Sequence, residues 1–197
     1  MGWRVNNAQQ AFETAVQRGA TPFIPGKIGA CDLSLPAIYG IGDSIIYFVD
    51  QSESLKGGTE AGKDSYLQKQ GFVPLESPEL VEQKGFLRVD HLTNNVYKGT
   101  MSYWADFYKG IFDFQEVRYF DIKGQKTGLT SFALQSPCKT FSIPINEGNE
   151  SKSQIEEYLR DYRGAGVQHL AFLSGDLLSS VEKLQGSGIE TLDISDN

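Results

Sequence analysis

The sequence is poor in residues that mark several common functional classes. It has two cysteines, Cys31 and Cys138, which stand far apart, and two histidines among its 197 residues. Because neither cysteine belongs to a C-x-x-C pair, a structural zinc site is not predicted. We expect both cysteines to be free thiols in a reducing compartment, which here means the cytoplasm.

Basic residues are also in the minority, since 18 Lys and Arg against 25 Asp and Glu give a net charge of -7. No basic cluster interleaves with aromatic residues, so nucleic acid is not an expected partner. Apolar runs are too short for a membrane span. The N-terminus has no basic region followed by an apolar one, so a signal peptide is not expected either.

What the sequence does contain is typical of a globular protein, with 40% hydrophobic and 12% aromatic residues and 21 glycines. Asn7 predicts the start of a helix over residues 8–18, which Gly19 ends. Residues 33–50 predict two short strands around a Gly-Asp turn. The polar and Gly-rich residues 51–85 predict a linker.

A more regular pattern begins at residue 86. It predicts a strand, an amphipathic helix, three strands, a helix, another strand and a last helix with Asp176 near its cap. In chain order these elements cover residues 86–96, 102–112, 114–122, 128–136, 140–147, 152–163, 166–174 and 175–188.

Part of this pattern is repeated at an offset of 78 positions (169 minus 91), where Val-Asp-His-Leu at 89–92 is matched by Val-Gln-His-Leu at 167–170. The repeated unit is a strand, a helix and three strands. The N-terminal residues fit the same unit but are expected to lack its first strand. The last unit would need three strands at roughly 192–224. The chain is therefore expected to be a segment of a longer repeat protein, cut at both ends.

Both histidines occupy the same position of the repeated strand. If two units pair about a pseudo-twofold axis, the imidazoles of His91 and His169 meet at one point. Two neutral imidazoles with one carboxylate suit non-haem Fe(II). Asp90 and Gln168 precede the histidines and are expected on the opposite strand face. A hydrogen-bonded polar side chain without a metal is the alternative interpretation of each histidine.

Three further polar residues stand where apolar residues are expected. Ser131 interrupts a strand, Asn146 ends an apolar run, and Gln154 opens a helix. Neutral donors and acceptors of this kind can orient a small polar ligand in a cavity. The structural alternatives are a buried hydroxyl, a turn residue and a helix-start residue, respectively.

The sequence contains, in this order, the segments GWRV, DHLTNNVYKG, WADFYKGIFDF, RYFDIKG, GLTSFAL, IPINE, KSQIEEYL and GAGVQHLAF. Together these segments resemble the 4-hydroxyphenylpyruvate dioxygenase family, in which they occur in the same order. The resemblance implies an α+β, vicinal-oxygen-chelate fold of repeated βαβββ modules, with an incomplete last module. Residues 1–50 would then be the C-terminal part of an N-terminal chelate-type domain, 51–85 a linker, and 86–197 a metal-binding domain with a complete first module and a truncated second one.

For the site, the resemblance implies Fe(II) held by two histidines and one glutamate. His91 lies in the DH motif of the first ligand and His169 in the QH motif of the second. The glutamate and a C-terminal helix that closes the pocket are expected on a part of the family's length that this chain does not contain. The substrate-contacting positions of the family fall on Ser131, Asn146, Gln154 and Gln168.

The family reaction converts 4-hydroxyphenylpyruvate, a 2-oxo acid, and O2 into homogentisate and CO2 in the breakdown of tyrosine and phenylalanine. Without the third ligand, this chain is expected to be an inactive fragment of an active parent. Its exposed sheet edges are expected to favour a homo-oligomer. Two alternatives stay open: 4-hydroxymandelate synthase, which shares fold, iron and substrate, and a non-catalytic binding module.

Overall fold

The computed structural model is a mixed α+β structure, as the sequence predicts. It describes residues 1–24, 35–50, 73, 76, 82–123 and 128–191. None of the helices within these ranges is long and apolar enough to cross a membrane. In chain order the elements are β1 Gly2–Val5, α1 Ala8–Gln17, β2 Ala37–Tyr39, a 3-10 turn Ile41–Asp43, β3 Ile45–Asp50, β4 Phe86–Val96, α2 Met101–Phe112, β5 Gln115–Lys123, β6 Gly128–Gln135, β7 Ser142–Gly148, α3 Gln154–Tyr162, β8 Gly166–Ser174 and α4 Leu177–Leu184.

Three strands form the first sheet, in the order β1-β3-β2. β1 is parallel to β3, with Val5 opposite Asp50. The prediction that the N-terminal unit lacks its first strand is therefore wrong. Four residues are too few to show an alternating pattern, although Trp3 and Val5 pack against the core.

The first helix begins and ends where the sequence predicts. Asn7 Oδ1 accepts a hydrogen bond from the Gln10 backbone N–H at 2.8 Å, which caps the helix start. Gly19 adopts a φ of 103° just after the helix, a left-handed conformation that ends the helix. The Ala8 N–H donates to Asp50 Oδ1 at 2.6 Å, so the same helix start is tied to β3.

Five strands form the second sheet, in the order β5-β6-β7-β4-β8. β4, α2, β5, β6 and β7 make up the predicted strand–helix–three-strand unit. β4 runs parallel to β7, while β5, β6 and β7 pair antiparallel. α2 packs against β6 and β7 through buried residues at helical spacing, namely Met101, Ala105, Tyr108 and Ile111.

An aromatic cluster joins the first sheet to α2. The Trp3 ring centroid lies 4.8 Å from that of Phe112 and 5.9 Å from that of Phe114. Tyr108 is fully buried beside them, 6.1 Å from Trp3. The first sheet and α2 therefore share one core. The domain boundaries at residues 50 and 86 stay a prediction.

β8 and α4 are the strand and helix of the second repeated unit. β8 pairs antiparallel with β4, and Leu92 lies opposite Leu170. These two residues are equivalent in the repeat, so the pairing has the twofold symmetry that the repeat predicts. The three strands expected at roughly 192–224, and nearly all of the predicted linker, lie outside the described residues.

Gly42 provides a close contact between the first sheet and the segment that leads into β8. Its φ is 61°, and a Cβ at this position would lie 1.8 Å from the Ala165 carbonyl oxygen. Gly99 also has a positive φ, 82°, but a Cβ there would meet nothing within 4 Å. Comparing the same substitution at Gly42 and at Gly99 therefore separates the effect of backbone conformation from that of a steric clash.

We expect Gly42→Ala to destabilise the fold much more than Gly99→Ala. Both substitutions place a side chain in a left-handed conformation, at about 1–2 kcal/mol. Only Gly42→Ala adds a backbone clash, which costs roughly a further 1–3 kcal/mol. Urea denaturation followed by circular dichroism measures both losses. Equal losses would show that Gly42 and Ala165 are not in contact.

Candidate metal and substrate site

The pairing of β4 with β8 brings the two histidines together. His91 lies opposite Ala171, and Thr93 lies opposite His169. His91 and His169 are thus diagonal neighbours on one face of the sheet, a distance that large side chains bridge. Their ring centroids are 5.7 Å apart and the planes meet at 74°.

Each histidine follows a bulged residue. The register of β4 against β8 shifts between Val89 and His91, which leaves Asp90 unpaired, and again at Gln168, which β8 carries as an extra residue. A bulge breaks the strict alternation of a strand. The expectation that these two residues face away from the imidazoles is therefore wrong: Gln168 lines the same cavity as His169, and the Asp90 carboxylate reaches the His91 ring.

Hydrogen bonds define the orientation of both imidazoles. His91 Nδ1 donates to Asp90 Oδ2 at 2.9 Å. His169 Nδ1 donates to Gln168 Oε1, and Thr93 Oγ1 lies 3.0 Å from His169 Nε2. Since a carboxylate or amide oxygen only accepts, Nδ1 of each ring carries a proton, and Nε2 is the nitrogen that bears the lone pair in the neutral form of the ring.

Burial lowers the pKa of His169 below its ordinary value, and repulsion from the His91 ring, when that ring is protonated, lowers it further. The lowered pKa of His169 favours its neutral form, and a neutral imidazole is the form that binds a metal. Two imidazole Nε2 atoms suit a divalent transition metal such as Fe(II). Among the described residues, no group of three or more His, Cys, Asp and Glu side chains is placed to hold an ion. The described part of the chain therefore offers a metal two imidazole donors, those of His91 and His169.

A cavity of about 260 Å³ lies beside His169. Three of the four predicted substrate-binding residues line it: Asn146, Gln154 and Gln168. Asn95 also lines it and accepts a hydrogen bond from Asn146 Nδ2 at 3.3 Å. Asn95 was not among the predicted site residues, although its place two positions after Thr93 in β4 puts it on the histidine face.

Ser131 and His91 are not among the residues that line this cavity. Ser131 is buried, 6% exposed, and lies opposite Asn146 in the pairing of β6 with β7. It therefore shares the sheet face of Asn146. His91 belongs to the same face through its diagonal contact with His169.

The structural alternatives for Ser131, Asn146 and Gln154 agree with the structure for two of these residues and not for Asn146. Asn146 lies inside β7 and is not a turn residue. Gln154 is the first residue of α3, whose cap Ser153 accepts from the Glu156 N–H at 3.3 Å, so it both starts a helix and lines the cavity. Ser131 is a buried hydroxyl, as its alternative states.

Comparison with known proteins identifies the superfamily to which this chain belongs. Residues 88–196 match the model of the Glyoxalase/Bleomycin resistance protein/Dioxygenase superfamily, and the chain belongs to that superfamily. Residues 1–60 match the N-terminal domain of hydroxyphenylpyruvate dioxygenase. The resemblance predicted from the sequence is therefore confirmed.

Curated relatives cover this chain almost completely. Protein MelA of Shewanella colwelliana is 54% identical over 195 residues, which is 98% of this chain and 53% of MelA. A 4-hydroxyphenylpyruvate dioxygenase of Legionella pneumophila is 42% identical over 199 aligned positions, covering 100% of this chain and 52% of the relative. The chain thus spans about half the length of the curated relatives it matches.

A solved structure supports the fold. A variant of 4-hydroxymandelate synthase from Streptomyces coelicolor superposes with a TM-score of 0.70 at 20% identity, over 95% of this chain and 52% of that one. Together with the superfamily match, this confirms the vicinal-oxygen-chelate fold.

A second cavity, of about 470 Å³, lies between β1 and the second sheet and has Cys138 in its lining. Cys138 is a free, exposed thiol, as predicted, whereas Cys31 lies outside the described residues. Hydrogen bonds with Ser136 and Thr140, at 3.3 and 3.0 Å, lower the pKa of the Cys138 thiol to about 7. This lowered pKa depends on how the chain folds Ser136 and Thr140 around Cys138, so the sequence alone does not predict it.

We expect alkylation of Cys138 by iodoacetamide to increase with pH through a midpoint near 7, because the thiolate is the nucleophile. Ser136→Ala removes the first of the hydrogen bonds that favour the thiolate. The midpoint should then move toward the ordinary thiol value of about 8.5. Peptide mass spectrometry measures the rate for Cys138 itself. Ser142→Ala is the control, and an unchanged midpoint in Ser136→Ala would contradict this explanation.

Proposed function

We propose that this chain provides two metal ligands and most of the substrate cavity of an Fe(II)-dependent 4-hydroxyphenylpyruvate dioxygenase. The observation that carries the proposal is the diagonal pair of His91 and His169 beside a cavity lined by four amide side chains. The dioxygenase relatives support the same assignment. Because the chain spans about half their length, the third ligand, a glutamate, is proposed to lie in the part that it does not span.

The residues have distinct roles in this proposal. His91 and His169 hold the metal through Nε2, and bound Fe(II) supplies a Lewis-acid and redox centre for oxygen chemistry. The amide groups of Asn146, Gln154 and Gln168 bind the polar oxygens of the 2-oxo acid and fix its orientation.

Ser131 is the fourth proposed substrate-binding residue, because it lies on the same sheet face opposite Asn146. Leu129 and Ile155 form the apolar part of the cavity wall. By keeping water away from the bound substrate, they strengthen the polar contacts of the amide groups.

Metal binding by the 197-residue chain tests the first part of this proposal. We expect anaerobic titration with Fe(II), or with Co(II) as a spectroscopic probe, to show one weakly bound ion per chain. His91→Ala and His169→Ala should each abolish binding, because each removes one of two donors. Gln9→Ala, on the exposed face of α1, is the control. Binding that survives both histidine variants would contradict the proposed ligands.

Turnover measurements test the proposed reaction and the proposed role of the amide side chains in substrate binding. We expect a protein of the relatives' full length to consume O2 with 4-hydroxyphenylpyruvate and to form homogentisate, while the 197-residue chain does not turn over. Asn146→Ala in the longer protein should lower kcat/KM about tenfold, the value of one hydrogen bond of about 1.4 kcal/mol. 4-Hydroxymandelate as the product would identify a hydroxymandelate synthase. Absence of metal binding would favour a non-catalytic module.

We also propose that the chain forms a homo-oligomer through the surface of its second unit. Leu170 and Phe172 on β8 are 48% and 50% exposed, and Leu177 and Leu178 on α4 are 66% and 77% exposed. No described strand pairs with the outer edge of β8. Exposed apolar patches and open edges of this kind favour association.

Light scattering tests this association. We expect the mass to rise above that of a monomer with protein concentration, and Leu177→Lys with Leu178→Lys to reduce that rise. Tyr103→Lys provides a matched control, because Tyr103 is 66% exposed but lies on α2. A monomer at all concentrations would contradict the proposal.

A further inference from the structure

The two histidines differ in the residue that contacts Nδ1. His91 follows a bulged aspartate and His169 follows a bulged glutamine, so the two equivalent positions carry one charged and one neutral acceptor. In a regular strand, residue 90 would face away from residue 91. The bulge therefore makes the contact between Asp90 and His91 possible.

This contact has a chemical consequence for His91. A carboxylate has no proton to donate, so of the two neutral tautomers it favours the one with a proton on Nδ1 and a lone pair on Nε2. An acceptor in this position also raises the basicity of the other nitrogen as a ligand. Among the described residues, His91 Nε2 has no hydrogen-bond partner, whereas His169 Nε2 is occupied by the Thr93 hydroxyl at 3.0 Å.

We propose that Asp90 is a positioning residue that fixes the tautomer of His91, so that its Nε2 is open to a metal before the metal arrives. The assignment to a metal rests on the proposed function. His169 Nε2 is less accessible, because a metal must first replace its hydrogen bond with Thr93. His91 is therefore the first nitrogen available to an incoming ion.

The tautomer is measurable without any metal. The chain has two histidines, so 15N-labelled protein at about pH 8.5 with a chelator gives two imidazole spin systems in a long-range 1H–15N spectrum. We expect His91 to show a protonated Nδ1 and an unprotonated Nε2. Asp90→Ala should shift His91 toward a mixture of both tautomers, while Asp90→Asn, which keeps an acceptor oxygen, should restore much of the original form.

Gln168→Ala is the matched control in this experiment. It should change the His169 signals and leave the His91 tautomer as it is. The folded state of each variant follows from the dispersion of its amide spectrum. An unchanged His91 tautomer in folded Asp90→Ala overturns the positioning role of Asp90, whatever the protein does with metals.

Co(II) titration of the same variants completes the test. We expect Asp90→Ala to weaken Co(II) binding about 10- to 100-fold, with Asp90→Asn intermediate. Equal affinity in all three proteins overturns the effect on metal binding. If the unaltered chain binds no Co(II), the proposed metal function fails, and the NMR spectra still decide whether Asp90 sets the tautomer.

Discussion

The candidate site depends on the antiparallel pairing of β4 with β8, two strands whose equivalent residues stand 78 positions apart (170 minus 92). With Leu92 opposite Leu170, the register places His91 and His169 as diagonal neighbours on one face. A slip of β8 by one residue would turn His169 to the face opposite His91 and separate the two imidazoles. The rest of the second sheet follows from this ladder, because β7 pairs with the other edge of β4 and brings Asn146 beside Asn95.

The same strand buries polar groups at a cost in stability. Thr93, Asn94 and Asn95 are 2%, 1% and 3% exposed. Thr93 is paired with His169 and Asn95 with Asn146, whereas Asn94 Oδ1 has no partner in the described part of the chain. A buried polar atom without a hydrogen bond costs roughly 1–3 kcal/mol. Thr93 and Asn95 lie on the face of the histidines, where a strand selected for stability alone would carry apolar residues, so their burial there is consistent with a binding site.

The first sheet packs against elements that carry or flank the site residues. Trp3 packs on Phe112 at the end of α2, α2 packs on β6 and β7, and those strands carry Ser131 and Asn146. Gly42 approaches the Ala165 carbonyl just before β8. The N-terminal unit therefore contributes no predicted ligand, yet it contacts the elements that hold the ligands. Close packing of this kind transmits small displacements between distant elements.

Much of this protein was predictable from sequence, because the relevant signals are local. Asn7 and Asp176 cap helices that begin where they predict, and two histidines at one repeat position already indicated a paired site. The sequence did not reveal β1, whose four residues gain their pairing only from β3, nor the bulges at Asp90 and Gln168. A bulge depends on how two strands align across 78 positions, so alternation read along one strand misplaces its side chain.

The sequence by itself determined the elements and the chemical groups. Tertiary pairing alone decided which nitrogen of His91 meets Asp90, and that four amide side chains share one cavity with His169.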